Sequence, residues 1–374
     1  MDVHYNCLAV FGLKNYQHSK HINMNRQEIN HTSQASERLA RLDQMLKERK
    51  KLLIVVHNYP DPDAIAAAQA LAYLADKRSN VQSSIAHGGF IGRAENRAML
   101  SELKIKLKNI NRISFNAYDC IAVVDTQPRS GNNSLPEGIQ CDLVIDHHPL
   151  RKRNRCEFQI IEPGVGASAT ILTEILIASG LDISKDLATA LAYAIRSETQ
   201  DLGRETSKRD IRAYRHVYSL SNMRKLARIT KPKLPRSYFY KLANTLHCTV
   251  SFRNIICAHI GDVEVVETVA EMADLLLRHK HISWSLCTGR FNDELFLSLR
   301  SSNPKAKAGK LIQRIIRDRK NAGGHGMFAG GKMSIAIMSQ DDIIQLEKKL
   351  SDELAKLLGY QNVKWNPLIE EKIE

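Results

Sequence analysis

The chain has 374 residues, of which 43% are apolar, and 54 Lys and Arg against 40 Asp and Glu give a formal net charge of +14. This length allows two domains, and no apolar run approaches the roughly 20 residues that a membrane-spanning helix needs. The seven cysteines form no C-x-x-C pair, which argues against a zinc knuckle and a disulfide framework. The apolar stretch Cys7–Leu13 lacks a basic region before it and does not predict a signal peptide. We therefore expect a cytoplasmic protein that does not contact membranes.

The first half of the chain alternates short apolar runs with amphipathic or alanine-rich runs, which predict strands and helices. Residues 1–33 are polar and are expected to be a disordered arm before a domain at 34–204. In chain order we predict a helix at Ser36–Lys51, a strand at 51–56, a helix capped by Asp63, a strand at Val81–Ala86, a helix at Arg93–Leu103, strands at Cys120–Val124 and Asp142–Ile145, and helices at Ser168–Ser179 and Lys185–Arg196. This order predicts an α/β fold with a doubly wound parallel sheet, which binds ligands beyond the carboxyl ends of its strands.

The second half begins with a basic segment at 205–245, expected to be a mostly helical connector. Eleven Lys or Arg lie between Thr206 and Lys241 against one acid, Asp210, and such basic patches attract polyanions. Beyond the connector, the pattern predicts a smaller α/β domain at 246–360. Its strand-like runs are NIICAHI, SWSLCTG, ELFLSLR and MSIAIM, and its helices lie near Thr268–Arg278 and Lys310–Arg319.

Potential metal ligands follow three of the predicted strands, in HNYPDPD at 57–63, AVVDT at 122–126 and DLVIDHH at 142–148. If the strands lie side by side, four carboxylates share one crevice and repel one another without a cation. Mixed carboxylate and imidazole ligands suit Mn²⁺, with Mg²⁺ as an alternative. Two such ions about 3.5–4 Å apart can activate a hydroxide and stabilise both oxygens of a phosphoryl displacement.

Asp125, which stands alone after AVV, is the expected bridging ligand and a catalytic residue. His148, also a catalytic residue, is expected to orient the site or to contact the phosphate. Asp146 is either a ligand or the partner that holds the imidazoles, because ligating histidines usually have one. The remaining expected ligands are His57 and Asp61 for one metal and Asp63 and His147, also a catalytic residue, for the other.

These motifs resemble those of the DHH family of phosphoesterases. H-x-x-P-D-x-D-A at 57–64, V-D-T at 124–126 and D-H-H-P at 146–149 are similar to its first three motifs, and VGASATIL at 165–172 resembles its serine-containing segment. The family's fourth motif, G-I-x-x-D-T, corresponds to AIRSET, with Ala194 for glycine and Glu198 for aspartate. The resemblance implies that Glu198 is a metal ligand, unless Asp201 takes this role.

Two further segments resemble the DHH-associated C-terminal domain, namely LSLRSS at 297–302 and NAGGHGMFAGG at 321–331, where Ala322 replaces the first glycine of the usual triplet. A glycine turn lets backbone amides approach an anion closely. The resemblance implies that four residues bind the substrate, namely Arg300, Gly323, Gly324 and His325.

The resemblance spans roughly residues 50–340 and implies a metal-dependent hydrolase similar to the nanoRNase and pAp-phosphatase branch. Such an enzyme uses two Mn²⁺ per chain on short oligonucleotides or on 3′-phosphoadenosine 5′-phosphate (pAp). A single-strand-specific exonuclease and a cyclic-dinucleotide phosphodiesterase remain alternatives, as does a non-catalytic nucleotide- or RNA-binding protein in which Glu198 impairs the metal site. A pyrophosphatase or polyphosphatase shares the metal core, but the glycine-rich signature argues against it. A homodimer is considered as the oligomeric state.

Overall fold

A computed structural model describes residues 33–150, 156–203, 205–318 and 321–369, which form two compact units. The first unit comprises the described residues up to Ile91 together with Glu95–Pro232, and the second comprises Gly92–Ala94 and the described residues from Lys233 onward. Apart from residue 33, the arm expected at 1–33 lies outside the described residues. No helix in the described part of the chain is long and apolar enough to cross a membrane.

The first unit contains a six-stranded parallel sheet in the order β3-β2-β1-β4-β5-β6. Its strands are β1 (Lys51–Val56), β2 (Gln82–His87), β3 (Lys108–Asn109), β4 (Cys120–Val124), β5 (Leu143–Asp146) and β6 (Phe158–Ile161). Its helices are α1 (33–46), α2 (Pro62–Ser79), α3 (Ala94–Leu103), α4 (Ser168–Ser179), α5 (Lys185–Glu198), α6 (Lys208–Leu220) and α7 (Met223–Thr230). The predicted parallel α/β sheet is confirmed.

The strand order places a topological switch point between β1 and β4. The chain moves from β1 to β2 on one side and returns to β4 on the other. Apart from the exposed Lys51, both strands consist of apolar residues whose side chains are buried on both faces, as is typical of central parallel strands. In such sheets the crevice at the switch point is open to ligands, and His57 and Asp125 follow these two strands.

The two faces of this sheet are covered differently. The helices pack on one face, where they enclose the side chains of Leu52, Ile54 and Val56. The other face carries Leu53 and Val55 and is covered by residues from the connections between strands. Cys141 and Cys156 pack in this second cluster, each two residues before its strand, and the strands β5 and β6 pair with Leu143 opposite Phe158.

Three sequence-based expectations for this unit need correction. The first helix ends at residue 46 rather than Lys51, because Lys51 already pairs in β1. Asp61 rather than Asp63 caps α2, since its side chain accepts a hydrogen bond from the amide of Ala64. The connector expected at 205–245 is divided at Pro232, because apolar residues of α6 and α7, such as Val217 and Ile229, lie in the core of the first unit.

The second unit is built on a seven-stranded mixed sheet in the order β11-β12-β10-β9-β8-β7-β13, in which only β8 and β9 are parallel among the described pairs. Its strands are β7 (Thr249–Phe252), β8 (Ile255–Asp262), β9 (Trp284–Phe291), β10 (Glu294–Ser301), β11 (Ala322–His325), β12 (Phe328–Ser334) and β13 (Asn366–Pro367). Its helices are α8 (Arg236–Cys248), α9 (Glu267–Leu276), α10 (Ala308–Ile316) and α11 (Gln340–Leu357). Apolar clusters on the two faces enclose α10 and α11 on one side and α8 and α9 on the other.

The prediction for the second unit missed the helix α11 and the strands β7, β11 and β13, and it misplaced one strand. Of the run MSIAIM, which begins at Met333, only Met333 and Ser334 belong to a strand, β12. The strand ends there because its partner β10 begins at Glu294, which pairs with Ser334. Ile337 is fully exposed, and the long helix α11 follows from Gln340. The glycine-rich segment that was interpreted as a turn forms the hairpin β11–β12.

Candidate metal centre

The three predicted ligand segments converge in the first unit. Asp125 follows β4, which lies between β1 and β5 in the sheet. His57 follows β1, and Asp146 ends β5. Because the three strands are parallel, their carboxyl ends meet at the same edge of the sheet, and the structure thus brings together residues that are up to 89 positions apart, from His57 to Asp146.

Asp125 is the common member of two groups of potential ligands. Its side chain is only 2% exposed, and its backbone is in the left-handed region with φ +58°. Its Oδ2 lies 3.5 Å from Nε2 of His57, and its Oδ1 lies 3.5 Å from Nε2 of His147. The ligand atoms of each group lie within 4.8 Å of one another, and the groups are His57, Asp61 and Asp125, and Asp125, His147 and His148.

Two of the imidazoles are oriented with Nε2 towards the carboxylates. His57 Nδ1 lies 2.9 Å from the carbonyl of Asn58, and His147 Nδ1 lies 3.4 Å from the carbonyl of Val165. With Nδ1 donating to a carbonyl, Nε2 keeps its lone pair for a metal. Nε2 of His147 is buried and has no hydrogen-bond partner among the described residues. A buried acceptor without a partner beside carboxylates fits a divalent cation.

The two carboxylates of the first motif have different surroundings. One oxygen of Asp61 caps α2, and the other lies 3.5 Å from Nε2 of His57. Asp63 is buried in the first turn of α2 and accepts hydrogen bonds of 2.7 Å from the amides of Ser168 and Ala169 at the start of α4. Its Oδ2 lies 3.9 Å from Nε2 of His147. Asp63 therefore connects α2 with α4 beside the second group of potential ligands, which contains His147.

The pKa values reflect an excess of negative charge. Burial raises the pKa of Asp63 well above its usual range, and the carboxylates of Asp125 and Glu198 raise it further. Burial opposes a charge on His57, but Asp61 and Asp125 raise its pKa well above the usual value. The cluster thus favours added positive charge, as expected for carboxylates that are to be neutralised by divalent ions.

Asp146 belongs to neither group of mutually close ligands among the described residues, but it contacts His148, a member of the second group. Its Oδ1 lies 2.9 Å from Nδ1 of His148, and its Oδ2 accepts a hydrogen bond of 2.8 Å from Gln127. Burial opposes a charge on His148, but the hydrogen bond to Asp146 and the charges of Asp125, Asp146 and Glu198 raise its pKa to about 9. Of the two roles that the sequence left for Asp146, the geometry favours the one that holds an imidazole.

The fourth motif contributes Glu198 at the end of α5. Its charge raises the pKa values of both Asp63 and His148, which indicates that it lies beside the second group. Asp201 has a side chain that is 78% exposed and forms an ion pair with Arg196. The geometry therefore favours Glu198 over Asp201 as the contribution of this motif.

Comparison with known proteins agrees with these motifs. Residues 51–195 match the DHH family, N-terminal domain. An uncharacterized protein of Methanocaldococcus jannaschii is 34% identical over 336 residues, which are 88% of this chain and 68% of the relative. The chain belongs to the DHH family.

Other relatives share less with this DHH protein. A probable manganese-dependent inorganic pyrophosphatase of Bacillus mycoides is 27% identical over 177 residues, so the match spans 46% of the chain and just over half, 56%, of that relative. An exopolyphosphatase-related protein from Bacteroides fragilis has a similar structure, with a TM-score of 0.68 over 87% of this chain and 98% of that one, at 16% identity. This last likeness shows a shared fold. The predicted class, a metal-dependent phosphoesterase, is confirmed at the level of the family, and the nanoRNase-like branch stays a prediction.

The expected substrate-binding residues of this DHH protein lie on two strands of the second unit, β10 and β11, which both pair with β12. Arg300 of β10 pairs in register with Phe328 of β12, and β11 carries Gly323, Gly324 and His325. The Arg300 guanidinium is mostly buried, donates to Asp274 at 2.6 Å and to two backbone carbonyls, and stacks over the Phe328 ring. The described contacts of Arg300 thus fix its position in the sheet.

The sequence interpretation missed Gln127 and gave Ser168 no individual role. Gln127 is buried and donates to Asp146, and Ser168 donates to Oδ1 of Asp125 at 2.9 Å. Both hold carboxylates of the centre in place. In the sequence, Gln127 is only a polar residue that directly follows V-D-T, and Ser168 is only a serine that begins an apolar helix. Neither signal is specific enough to predict a contact with a carboxylate.

Proposed function

We propose that this protein is a two-metal phosphoesterase that uses Mn²⁺ to hydrolyse short oligonucleotides, pAp or both. The observation that carries the proposal is the shared carboxylate. Asp125 directs one oxygen at His57 and the other at His147, which is the arrangement that a bridging ligand between two cations requires. The Mn²⁺ dependence of the pyrophosphatase relatives supports the choice of metal.

Each cation is assigned its own ligands besides Asp125. His57 and Asp61 belong to the first, and Asp63, His147 and Glu198 belong to the second. Divalent ions bound there supply positive charge to the oxygens of a phosphoryl displacement. His148, which is held by Asp146, contacts the phosphate in this assignment, and Ser168 keeps Asp125 in position.

The second unit supplies the substrate-binding residues in this proposal. A Cβ added to Gly323 would meet nothing within 4 Å, so neither packing nor backbone strain explains a glycine at this position. Backbone amides that no side chain covers can approach an anion closely. This feature supports a phosphate contact at Gly323, on the strand that pairs with the other side of β12 from Arg300.

Inorganic pyrophosphate is the second candidate substrate, because the matched Bacillus protein is a probable pyrophosphatase. It differs from the leading candidate in having no base. The two candidate functions are distinguished by measuring the hydrolysis of both kinds of substrate with one protein preparation.

The test is Mn²⁺-dependent hydrolysis of four substrates in parallel, namely a 5′-phosphorylated ribodinucleotide, pAp, a single-stranded twenty-mer and pyrophosphate. We expect the first two to be hydrolysed fastest. Asp125→Asn is expected to lose at least about 100-fold in rate, because loss of partners that only hold a ligand already costs 10–100-fold. Asp76→Asn, which removes an exposed carboxylate of α2, is the matched control and keeps its rate.

Three results would contradict the proposal. Fast hydrolysis of pyrophosphate alone favours the second candidate, and fast hydrolysis of the twenty-mer favours an exonuclease. If the chain binds no Mn²⁺ by elemental analysis and hydrolyses none of the four, it is a nucleotide- or RNA-binding protein. Light scattering on the same sample tests the expected homodimer.

A further inference from the structure

In the sequence, an exposed aromatic residue lies between two of the proposed metal ligands. Tyr59 is two residues from both His57 and Asp61, so its Cα lies within about 7 Å of the Cα of each. Its side chain is 53% exposed, although it belongs to a loop whose ligand side chains are partly buried. Large exposed aromatic side chains beside a candidate site are candidates for contacts with a ligand.

The ring is held in place by a second segment of the first unit. The amide of Tyr59 donates to the carbonyl of Gly88 at 3.1 Å. Phe90 packs with its plane at 87° to the Tyr59 ring and with the two centroids 5.1 Å apart. A Cβ on Gly89 would come within 2.7–3.0 Å of three ring carbons, so the glycine leaves the space in which the ring lies. Because the ring is already fixed, a ligand that stacks on it loses little side-chain entropy.

The backbone of this loop is strained at the same residue. Tyr59 has φ +57°, which is an uncommon conformation for a bulky side chain and costs free energy. The neighbouring Asn58 anchors the loop, since its amide donates to the carbonyl of Asn132 and its side-chain oxygen accepts from Ser134. The structure thus maintains an unfavourable backbone conformation that leaves an aromatic ring exposed beside the metal centre.

We propose that Tyr59, supported by Phe90 and Gly89, is the surface on which the base of a nucleotide substrate stacks while its phosphate lies at the metal centre. Aromatic rings bind bases through their faces with little preference among sequences. Tyr59 would therefore discriminate nucleotides from base-free phosphates without specifying a base. The inference rests on the proposed function, because it assigns a binding surface to the base of the substrate, which pyrophosphate lacks.

The test compares two ligands that differ only in the base, AMP and ribose 5-phosphate. Their affinities for the Mn²⁺-loaded chain are measured by calorimetry. We expect AMP to bind wild type about ten-fold more tightly, which is the low end of the effect of one base–aromatic stack. Tyr59→Phe keeps the ring and the preference, whereas Tyr59→Leu keeps bulk but loses the ring, and its preference falls to about two-fold or less.

Tyr218→Leu is the matched control, because it removes an exposed tyrosine of α6 and is expected to keep the ten-fold preference. In turnover, Tyr59→Leu is expected to raise KM for pAp about ten-fold and to change kcat little, since the stack is made equally before and during reaction. Equal binding of the two ligands by wild type, or an undiminished preference in Tyr59→Leu, would overturn the inference.

A measurement on wild type covers the case in which Tyr59→Leu loses Mn²⁺. Photo-crosslinking with 8-azidoadenosine 5′-phosphate is expected to label the peptide that contains Tyr59 or Phe90, and labelling confined to other peptides would overturn the inference. Failure of the proposed function gives a different result. In that case AMP is still preferred over ribose 5-phosphate and the azido analogue still labels these peptides, but no nucleotide is hydrolysed.

Discussion

At the scale of single residues, the centre depends on the number of groups that the carboxylate of Asp125 contacts at the same time. Asp125 accepts a hydrogen bond from Ser168 and faces two imidazoles from different segments of the chain. Its left-handed φ of +58° turns the side chain out of the strand direction at the end of β4, and the bond from its amide to the carbonyl of Ile145 fixes that turn. The backbone thus aims the carboxylate before any ion binds.

Glu198 and Asp201 give a prediction at this scale. Glu198→Gln is expected to reduce Mn²⁺-dependent turnover by about 10–100-fold, because the charge of Glu198 acts on Asp63 and His148. Asp201→Asn is expected to stay within about two-fold of wild type, since surface ion pairs such as that of Asp201 with Arg196 contribute little. Rates and Mn²⁺ content are compared for both variants. A larger loss in Asp201→Asn than in Glu198→Gln would reverse our assignment of the fourth motif.

The sequence predicted the members of the centre better than their contacts. Three motifs at strand ends were sufficient to bring Asp125, His57 and His147 together, because parallel strands have their carboxyl ends at one edge. The cap of α2 was assigned to Asp63, whereas Asp61 has this role and Asp63 binds the amides of α4. That contact joins residues 105 positions apart, and no local pattern encodes it.

At the scale of elements, two adjacent glycines of β11 make a matched pair. Gly324 has φ +150°, and a Cβ there would lie 2.2 Å from the carbonyl oxygen of Phe328. Gly324→Ala is therefore expected to destabilise the second unit by about 1–3 kcal/mol. Gly323→Ala has open space and is expected to leave stability within about 0.5 kcal/mol while it weakens substrate binding.

Urea unfolding and the KM for pAp measure the two effects separately. Equal stability of both variants would show that the hairpin relaxes around a side chain at Gly324. An unchanged KM in Gly323→Ala would remove the argument that an anion approaches this strand.

A hydrogen-bonded chain of side chains connects β8, β9 and α11 in the second unit. Thr288 donates to Glu347 at 2.6 Å, and its oxygen lies 2.8 Å from Nδ1 of His259, whose Nε2 lies 3.0 Å from Ser351. Burial lowers the pKa of His259 to about 4. The chain of bonds is complete when Ser351 donates to a neutral imidazole, which donates in turn to Thr288.

This chain predicts a loss of stability in acid. Below pH 6.5 the unfolded His259 binds a proton that the folded residue does not bind until about pH 4, so its contribution falls across that interval, by about 2 kcal/mol at pH 5. Glu347 has the opposite sign, because burial raises its pKa and the folded state then holds a proton more readily. The difference in unfolding free energy between wild type and His259→Gln isolates the histidine. That difference should shrink from pH 7 to pH 5, and a constant difference would contradict the assignment.

The helix α11 shows why parts of this unit were not predicted. It begins with a capping box formed by Ser339 and Asp342, which is a recognisable start signal. The preceding apolar run MSIAIM favoured a strand on its own pattern. In the structure the strand β12 ends at Ser334, beyond which β10 offers no further pairing partner. The position of this end therefore depends on pairing between segments that are distant in the sequence.

At the scale of the whole molecule, the net charge of +14 coexists with an acidic metal centre. Within α6 and α7, Lys208, Arg215 and Arg224 are exposed, while the single acid Asp210 is buried as part of a capping box. A basic surface of this kind attracts long polyanions. Such contacts release counterions and weaken with salt.

We therefore expect the twenty-mer to bind Asp125→Asn with an affinity that falls roughly 50-fold between 50 and 200 mM salt, as four phosphate contacts require. The affinity of AMP is expected to fall much less, because AMP carries a single phosphate. Fluorescence anisotropy and calorimetry measure the two slopes. Equal slopes for both ligands would show that the basic helices do not contact the longer chain.

Cys141 and Cys156 each lie two residues before one of two paired strands and pack in one cluster. A hydrogen bond between their thiols raises the pKa of Cys141 and lowers that of Cys156. Oxidised glutathione would therefore be attacked first by Cys156, after which Cys141 would displace the glutathione, and two reduced glutathiones would leave. The resulting bond would close a loop that contains the D-H-H motif. We expect oxidised chains to lose two hydrogens in mass and to melt about 5 °C higher, so that the redox potential of the buffer helps to set the stability of the first unit.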